Sequence, residues 1–176
     1  ANGVIIITTK KGKKGPLQVT ASSKFSVTEI PRYDLAGQEE FVRLNNMAYD
    51  NAGIPRQDLN LSVNTDWQEE VFQTGLIQDQ NVSFSGGGEN SSYYISGNYF
   101  GNKGTVISTD FDRISFRVNS SGKKGIFSIG ENLALSNSKT DEIGGSDGFR
   151  GNPFFDVVRL FPTIPVYDEA NPGGYG

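Results

Sequence analysis

The chain has 176 residues, of which 35% are hydrophobic; it carries 22 Gly, 12 Phe, 7 Tyr, a net charge of -4 and a mean hydropathy of -0.41. It is too aromatic and too weakly charged for disorder, yet poor in material for an ordinary packed core. Zero Cys and zero His remove disulfides, thiolate metal sites and most acid–base chemistry, and the slight acidic balance gives nucleic acid no electrostatic footing.

The first element, residues 4–9 (VIIITT), is a short continuous apolar run that fits a strand buried on both faces. The Gly and Lys cluster behind it reads as a linker or exposed turn. Over residues 17–28 the pattern changes: Leu17, Val19, Ala21, Phe25 and Val27 alternate with Gln18, Thr20, Ser22, Lys24, Ser26 and Thr28, and Ser23 alone breaks the apolar side. This is a period-2 strand with one apolar and one polar face. It is longer than the ~5–6 residues usual in globular sheets and matches the ~9–11 of a tilted membrane strand.

Two helices are expected in the connection that follows. Asp34 is a candidate cap for a helix reaching about Asn51, with Phe41, Leu44 and Ala48 on one stripe and Gly53 as its stop. In TDWQEEVFQTG, Asp66 and Glu69 form a capping-box-like start, Trp67 and Val71 share a face, and Gly75 is the expected end. Four more alternating strands are predicted at residues 80–86, 91–101, 111–120 and 126–138. Their polar sides carry Tyr94, Asn98, Arg113, Arg117 and many Ser and Asn, a composition suited to a wet lumen. Glu131 is the exception, a carboxylate on the side of Ile129 and Leu133; a bulge, a neighbouring subunit or an interfacial height are the ways to accommodate it.

Connections at 87–90 and 121–125 are tight, whereas 29–77, 101–110 and everything after 139 are long. Strict alternation of long and short connections is the signature of an up-and-down barrel with short periplasmic turns and long extracellular loops. No stretch approaches the ~20 apolar residues of a membrane helix, which excludes spanning by helix but not by barrel. The expected fold is therefore all-β and mainly antiparallel.

Several stretches taken together resemble the SusC/RagA family of TonB-dependent outer-membrane transporters. ANGVIIITTKKGKKG is similar to the segment that closes the family's plug domain; TDWQEEVFQTGLIQDQNVSFSGGGENSSYYISGNYFGNKGTV resembles its early-barrel signature. FDRISFRVN and GENLALSNSK resemble the next hairpin, and FFDVVRLFPTIPVYDEANPGGY a proline-rich extracellular loop. The resemblance implies a plug end and linker at residues 1–15 and the N-terminal part of a transmembrane barrel at 16–176, its extracellular loops carrying short helices. Five alternating strands cannot close a barrel, which needs at least eight, so a fragment is expected. The family's TonB-contacting box would lie outside these residues.

By the same resemblance, the complete protein sits in the outer membrane of a Gram-negative bacterium, among its lipids. It imports oligosaccharides or peptides with energy delivered through TonB, under a lid formed by a SusD-like lipoprotein. Tyr94, Asn98, Arg113 and Arg117 are the candidate lumen and plug contacts. Trp67, Tyr167 and Tyr175 are candidate loop contacts to substrate or lid, although Trp67 also suits packing its own helix onto the barrel rim. Tyr93 and Tyr99 are candidate members of the aromatic girdles.

No enzymatic activity is expected, and no catalytic, cofactor or metal residues. Glu39/Glu40, Glu69/Glu70 and Asp110/Asp112 are carboxylate pairs without a pocket, and SGGGENSS lacks the Lys-Ser/Thr end of a phosphate loop. The acidic stretch 140–148 has oxygen ligands suited to calcium but no recognised loop spacing; a solvated loop is its ordinary reading. The rival from another class is a soluble extracellular all-β module, a carbohydrate-binding or adhesin domain, which would also alternate.

Overall fold

Period-2 alternation becomes a single five-stranded antiparallel sheet in the computed structural model of the chain, which describes residues 3–4, 10–143 and 151–175. The strands are β1 (Gly15–Thr28), β2 (Gly75–Gly87), β3 (Ser91–Lys103), β4 (Asp110–Lys124) and β5 (Phe127–Asp141), and each neighbours the next in sequence. The expected strand at 4–9 falls, apart from Val4, outside the described residues. Two units result, a sheet unit (Ala1–Thr28, Gly75–Gly104, Thr109–Glu142) and a loop unit (Glu29–Thr74, Thr105–Ser108, Ile143–Gly176).

Directly opposed residues in an antiparallel ladder share a face, so register converts the alternation of each strand into rows across the sheet. One face carries the rows Val19–Phe84–Ile95–Val118–Leu133 and Ala21–Val82–Gly97–Phe116–Leu135. The other carries Gln18–Ser85–Tyr94–Asn119–Asn132 and Ser22–Asn81–Asn98–Ser115–Ser136. The apolar rows are open to their surroundings: Val19 is 58% exposed, Phe25 62% and Leu135 57%.

The strands run further than side-chain pattern alone marks them. β2 starts at Gly75, well before position 80, although Gln78 and Gln80 interrupt its apolar side. Backbone pairing continues there with both neighbours, through Val27↔Leu76 and Leu76↔Lys103, and a shared ladder outweighs a broken pattern. The tight connection expected at 121–125 contracts to Gly125 and Ile126, because Lys124 already pairs with Phe127. Gly125 takes φ 59 at the first central position, where a II′ hairpin demands a positive value.

Glu131 finds an answer within the sheet. The β4–β5 register from Asp110↔Asp141 to Lys124↔Phe127 contains no shift, so no bulge turns the carboxylate away. Glu131 lies opposite Ser120, whose hydroxyl donates to Oε2 at 3.4 Å, in a row with Gly86 and Tyr93 on the hairpin-turn side of the purely apolar rows.

Among the described residues the loop unit holds three helices: α1 (Gln38–Ala52), α2 (Trp67–Val71) and α3 (Pro153–Arg159). α1 is capped by Gly37, not by Asp34, and Gly37 has no side chain to offer. The Gln38 amide donates instead to Asn64 Oδ1 at 2.9 Å, a loop partner that only the tertiary fold supplies. Gly53 ends it at φ 65, the left-handed stop the sequence marks. Asp66 caps α2 as expected, accepting from the amides of Gln68 and Glu69 at 2.9 and 3.2 Å. That helix stops at Phe72 and not at Gly75, since Phe72 turns extended to bridge Val106 and Gly75 already belongs to β2.

α3 lies in what reads as a loop, although its start signals are ordinary: Asn152 caps it, accepting from Phe154 N–H at 3.1 Å, and Pro153 takes the first turn. Among the described residues, buried apolar side chains are Phe72, Val106 and Val157, with Trp67, Val71, Ile30 and Ile143 packed around them. On the unit's surface the Arg56 fork bonds Asp50 at 2.9 and 2.7 Å and holds its carboxyl below the ordinary 3.8. A lowered value makes this contribution whole above pH 3.8 and lost as pH falls through the depressed value, so neutral pH leaves it intact.

Neither apolar nor polar rows of the sheet form a closed core, and this dictates behaviour in isolation. Residues 1–176 produced alone are expected to aggregate or to need detergent, as read by size-exclusion chromatography. A well-dispersed, folded monomer in water would instead support the soluble-module alternative.

Candidate lumen face and loop aromatics

The four residues singled out on the polar strand sides come together. Tyr94 and Asn98 stand on β3, Arg113 and Arg117 on β4, with Ser96 opposite Arg117 and Asn98 opposite Ser115. All four line one concavity of about 550 Å³, together with Ser96 and Lys10. Period-2 geometry makes this inevitable once the register is set, because Tyr94 and Asn98, like Arg113 and Arg117, are an even number of residues apart and the pairing Ser96↔Arg117 puts both pairs on one side.

Each side chain is held differently. The Asn98 amide donates to Asp79 Oδ1 at 2.6 Å and to the Gln80 carbonyl at 3.1 Å, which ties β3 to β2 and commits the nearby carboxylate. The Arg113 guanidinium lies over the Phe100 ring, 5.6 Å from its centroid, and Phe100 in turn meets Phe111 edge-on at 6.0 Å. Among the described residues neither Arg113 nor Arg117 forms an ion pair with a carboxylate.

The segment read as a Lys-Gly linker crosses this face. Asn119, 9% exposed, donates to the Lys10 carbonyl at 3.4 Å, and Gly12 lies so close to the Tyr93 backbone that a β-carbon there would overlap it. Asp79, Phe100, Asn119 and Lys10 were not legible as site residues. Each looks like an ordinary strand or turn position, and only the cross-strand register shows what it touches.

The loop aromatics divide. The Trp67 indole N–H donates to the Phe161 carbonyl at 3.0 Å, and its ring packs beside Phe72, Val106 and Val157 within the loop unit. Phe154 pairs with Phe72 at 5.6 Å and Phe161 with Phe41 at 4.8 Å. Tyr167 and Tyr175, by contrast, face each other across a short bridge, centroids 5.7 Å apart, and stay 74% and 65% exposed. Gly173 and Gly174, at φ 97 and 77, make the turn that brings them side by side.

On the apolar face, Tyr99 donates its hydroxyl to Asp112 at 2.6 Å and covers Gly101, while Tyr93 covers Gly86. Both tyrosines thus fill the gap a glycine leaves in the sheet surface. The acidic stretch 140–148 is split: Thr140 and Asp141 end β5, and residues 144–150 lie outside the described ones. No group of three or more potential metal ligands occurs among the described residues, and no helix there is long and apolar enough to cross a membrane.

An open antiparallel sheet in strict sequential order, one face apolar and the other lined with Ser, Asn and Arg, defines a stretch of β-barrel wall. Over nearly its whole length the chain is similar to TonB-dependent receptors, SusC among them. A TonB-dependent receptor of Formosa agariphila is 33% identical over 178 residues, covering 96% of this chain and 17% of that protein. The TonB-dependent receptor SusC of Bacteroides thetaiotaomicron is 33% identical over 184 residues, covering 99% and 17%. The chain therefore spans about one sixth of the length of these curated relatives. Among solved structures it is similar to the RagAB peptide transporter, with a TM-score of 0.71 and 19% identity over 93% of this chain and 22% of that one. The RagAB peptide importer in its open-open state gives 0.69 and 21% over the same shares. No protein-family model matches the chain.

Two substitutions check these assignments. Asn98→Ala leaves Asp79 without its amide partner and is expected to destabilise the β2–β3 ladder by about 1–3 kcal/mol, read by amide hydrogen exchange across that pair. Trp67→Ala should loosen the loop unit by about 2–3 kcal/mol, less than a fully buried ring costs, whereas Tyr167→Ala should fall within about 0.5 kcal/mol of zero. Urea-dependent proteolysis of the 29–74 connection distinguishes them.

Proposed function

We propose that residues 1–15 are the end of a plug domain with its linker, and that residues 16–176 begin the barrel wall of a TonB-dependent importer in a Gram-negative outer membrane. The apolar rows face lipid and the polar rows face the lumen. The turns at 88–90 and 125–126 are periplasmic, and the three long connections, all at the opposite strand ends, are extracellular.

The reading rests on the two-faced register: five strands in sequence order with every apolar row on one side. The names of the relatives support it. The complete protein takes up an oligosaccharide, as the family resemblance implies, or a peptide, as the RagAB peptide transporter structures suggest. A SusD-like lipoprotein covers the extracellular side, and TonB engages a part of the protein beyond these residues. Tyr94, Asn98, Arg113 and Arg117 line the path around the plug. The exposed Tyr167–Tyr175 pair offers an aromatic ledge to substrate or lid.

Single cysteines test the wall directly, since this stretch contains none. In the full-length receptor, in a Cys-free background and intact membranes, Ile114→Cys should react with a lipid-soluble maleimide and resist a small charged thiol reagent; Ser115→Cys should do the reverse. Equal reactivity of these adjacent positions would overturn the two-sided wall.

A further inference from the structure

We infer that the polar face of β3 and β4 holds a carboxylate-binding site formed by Arg113, Arg117 and Lys10. The inference rests on the reading of this face as lumen wall and adds what that wall recognises. Lys10, Arg113 and Arg117 line one concavity of about 550 Å³, and among the described residues no Asp or Glu lines it with them. The nearest acid in register, Asp79 opposite Phe100 opposite Arg113, is already bonded to Asn98.

Arg113 is oriented without being neutralised. The guanidinium carbon lies 5.6 Å from the Phe100 ring centroid, a cation–π contact that places the charge without supplying a counter-ion. Arg117, half-buried on the same side of β4, pairs with no carboxylate among the described residues. The two arginines stand roughly 13 Å apart along the strand, near enough for long side chains to converge on a group above Ser115. Like charges gathered in one concavity repel, and an anion between them relieves this. A planar carboxylate matches the guanidinium fork in two parallel bonds, and the Ser96 hydroxyl, the Tyr94 phenol and the Asn98 amide border the same space. Lys10 brings the linker into the site, anchored through its own carbonyl to Asn119, so occupancy and the seating of the linker share one surface.

The carboxylate has two sources, an acidic side chain of the plug or an acidic group on the imported molecule, and one experiment separates them. The full-length receptor is purified in detergent as native protein and as Arg113→Gln, Arg117→Gln and Arg56→Gln, the last an exposed arginine of the loop unit. The urea midpoint of plug unfolding is then measured with and without citrate at constant ionic strength. A plug carboxylate predicts that both wall variants lower the midpoint without citrate and that citrate moves none of the proteins. A ligand carboxylate predicts coincident midpoints without citrate, a rise with citrate in native and Arg56→Gln proteins, and about tenfold more citrate needed in either wall variant. Midpoints that coincide in all four proteins with and without citrate would overturn the site. Loss of heat-modifiable gel migration in the native receptor would overturn the barrel-wall reading itself, and the site with it.

Discussion

A backbone amide has one N–H and one C=O to satisfy, and in a sheet both are satisfied sideways, by neighbouring strands, while side chains are thrown alternately up and down. Everything in the sheet unit depends on these two facts acting together. Hydrogen bonding runs in the plane and leaves the two surfaces chemically independent, so one can be apolar and the other wet without conflict. A register slip of a single residue on any strand would invert its faces. The rows through Ala21 and through Ser22 would then exchange partners, placing Asn81 or Asn98 among Phe and Leu. The unshifted ladders from β2 to β5 are thus what keeps Arg113 and Arg117 on the polar side and Phe116 and Val118 on the other.

The same geometry explains which parts were legible. Alternation in β1, β3, β4 and β5 is a side-chain signal, and side chains are what a sequence displays; the strands, their faces and the four polar residues followed from it. The N-terminal half of β2 was hidden because Leu76 and Ile77 put apolar groups on both faces and Gln78 and Gln80 put amides on the apolar one, while the backbone kept pairing regardless. α1's true cap was hidden for a related reason. A glycine gives no capping signal, and its replacement partner, Asn64, comes from a distant loop. α3 had an Asn-Pro start in plain view, yet seven residues of helix give too few turns for a stripe to stand out.

Contacts made across strands were legible only in kind. Arg and Asn at alternate strand positions announce a wet face, but Arg113 lying over Phe100 and Asn98 binding Asp79 depend on register between strands whose order in sequence says nothing of atomic distance. Trp67 had two readings in the sequence, recognition and packing of its own helix. A Trp in a loop invites a recognition role, yet its indole N–H is bonded to a carbonyl and its ring is part of the loop unit's packing, which leaves Tyr167 and Tyr175 as the aromatic surface open to a partner.

The two units consequently obey different energetics. The loop unit carries its own apolar cluster around Phe72, Val106 and Val157, its own caps at Asp66 and Asn152, and bonds such as Thr65 to Ile164 that link segments far apart in the chain. Its cohesion is internal. The sheet unit has four ladders' worth of backbone but unpaired outer edges on β1 and β5 among the described residues, and apolar rows that water would penalise at about 25 cal/mol for each Å² left wet. In hydrocarbon that penalty vanishes and the edge cost grows, because an unpaired amide there has no water to turn to. Lipid on one face and further strands at both edges are the surroundings that satisfy both terms at once, and a closed barrel is the arrangement that supplies them.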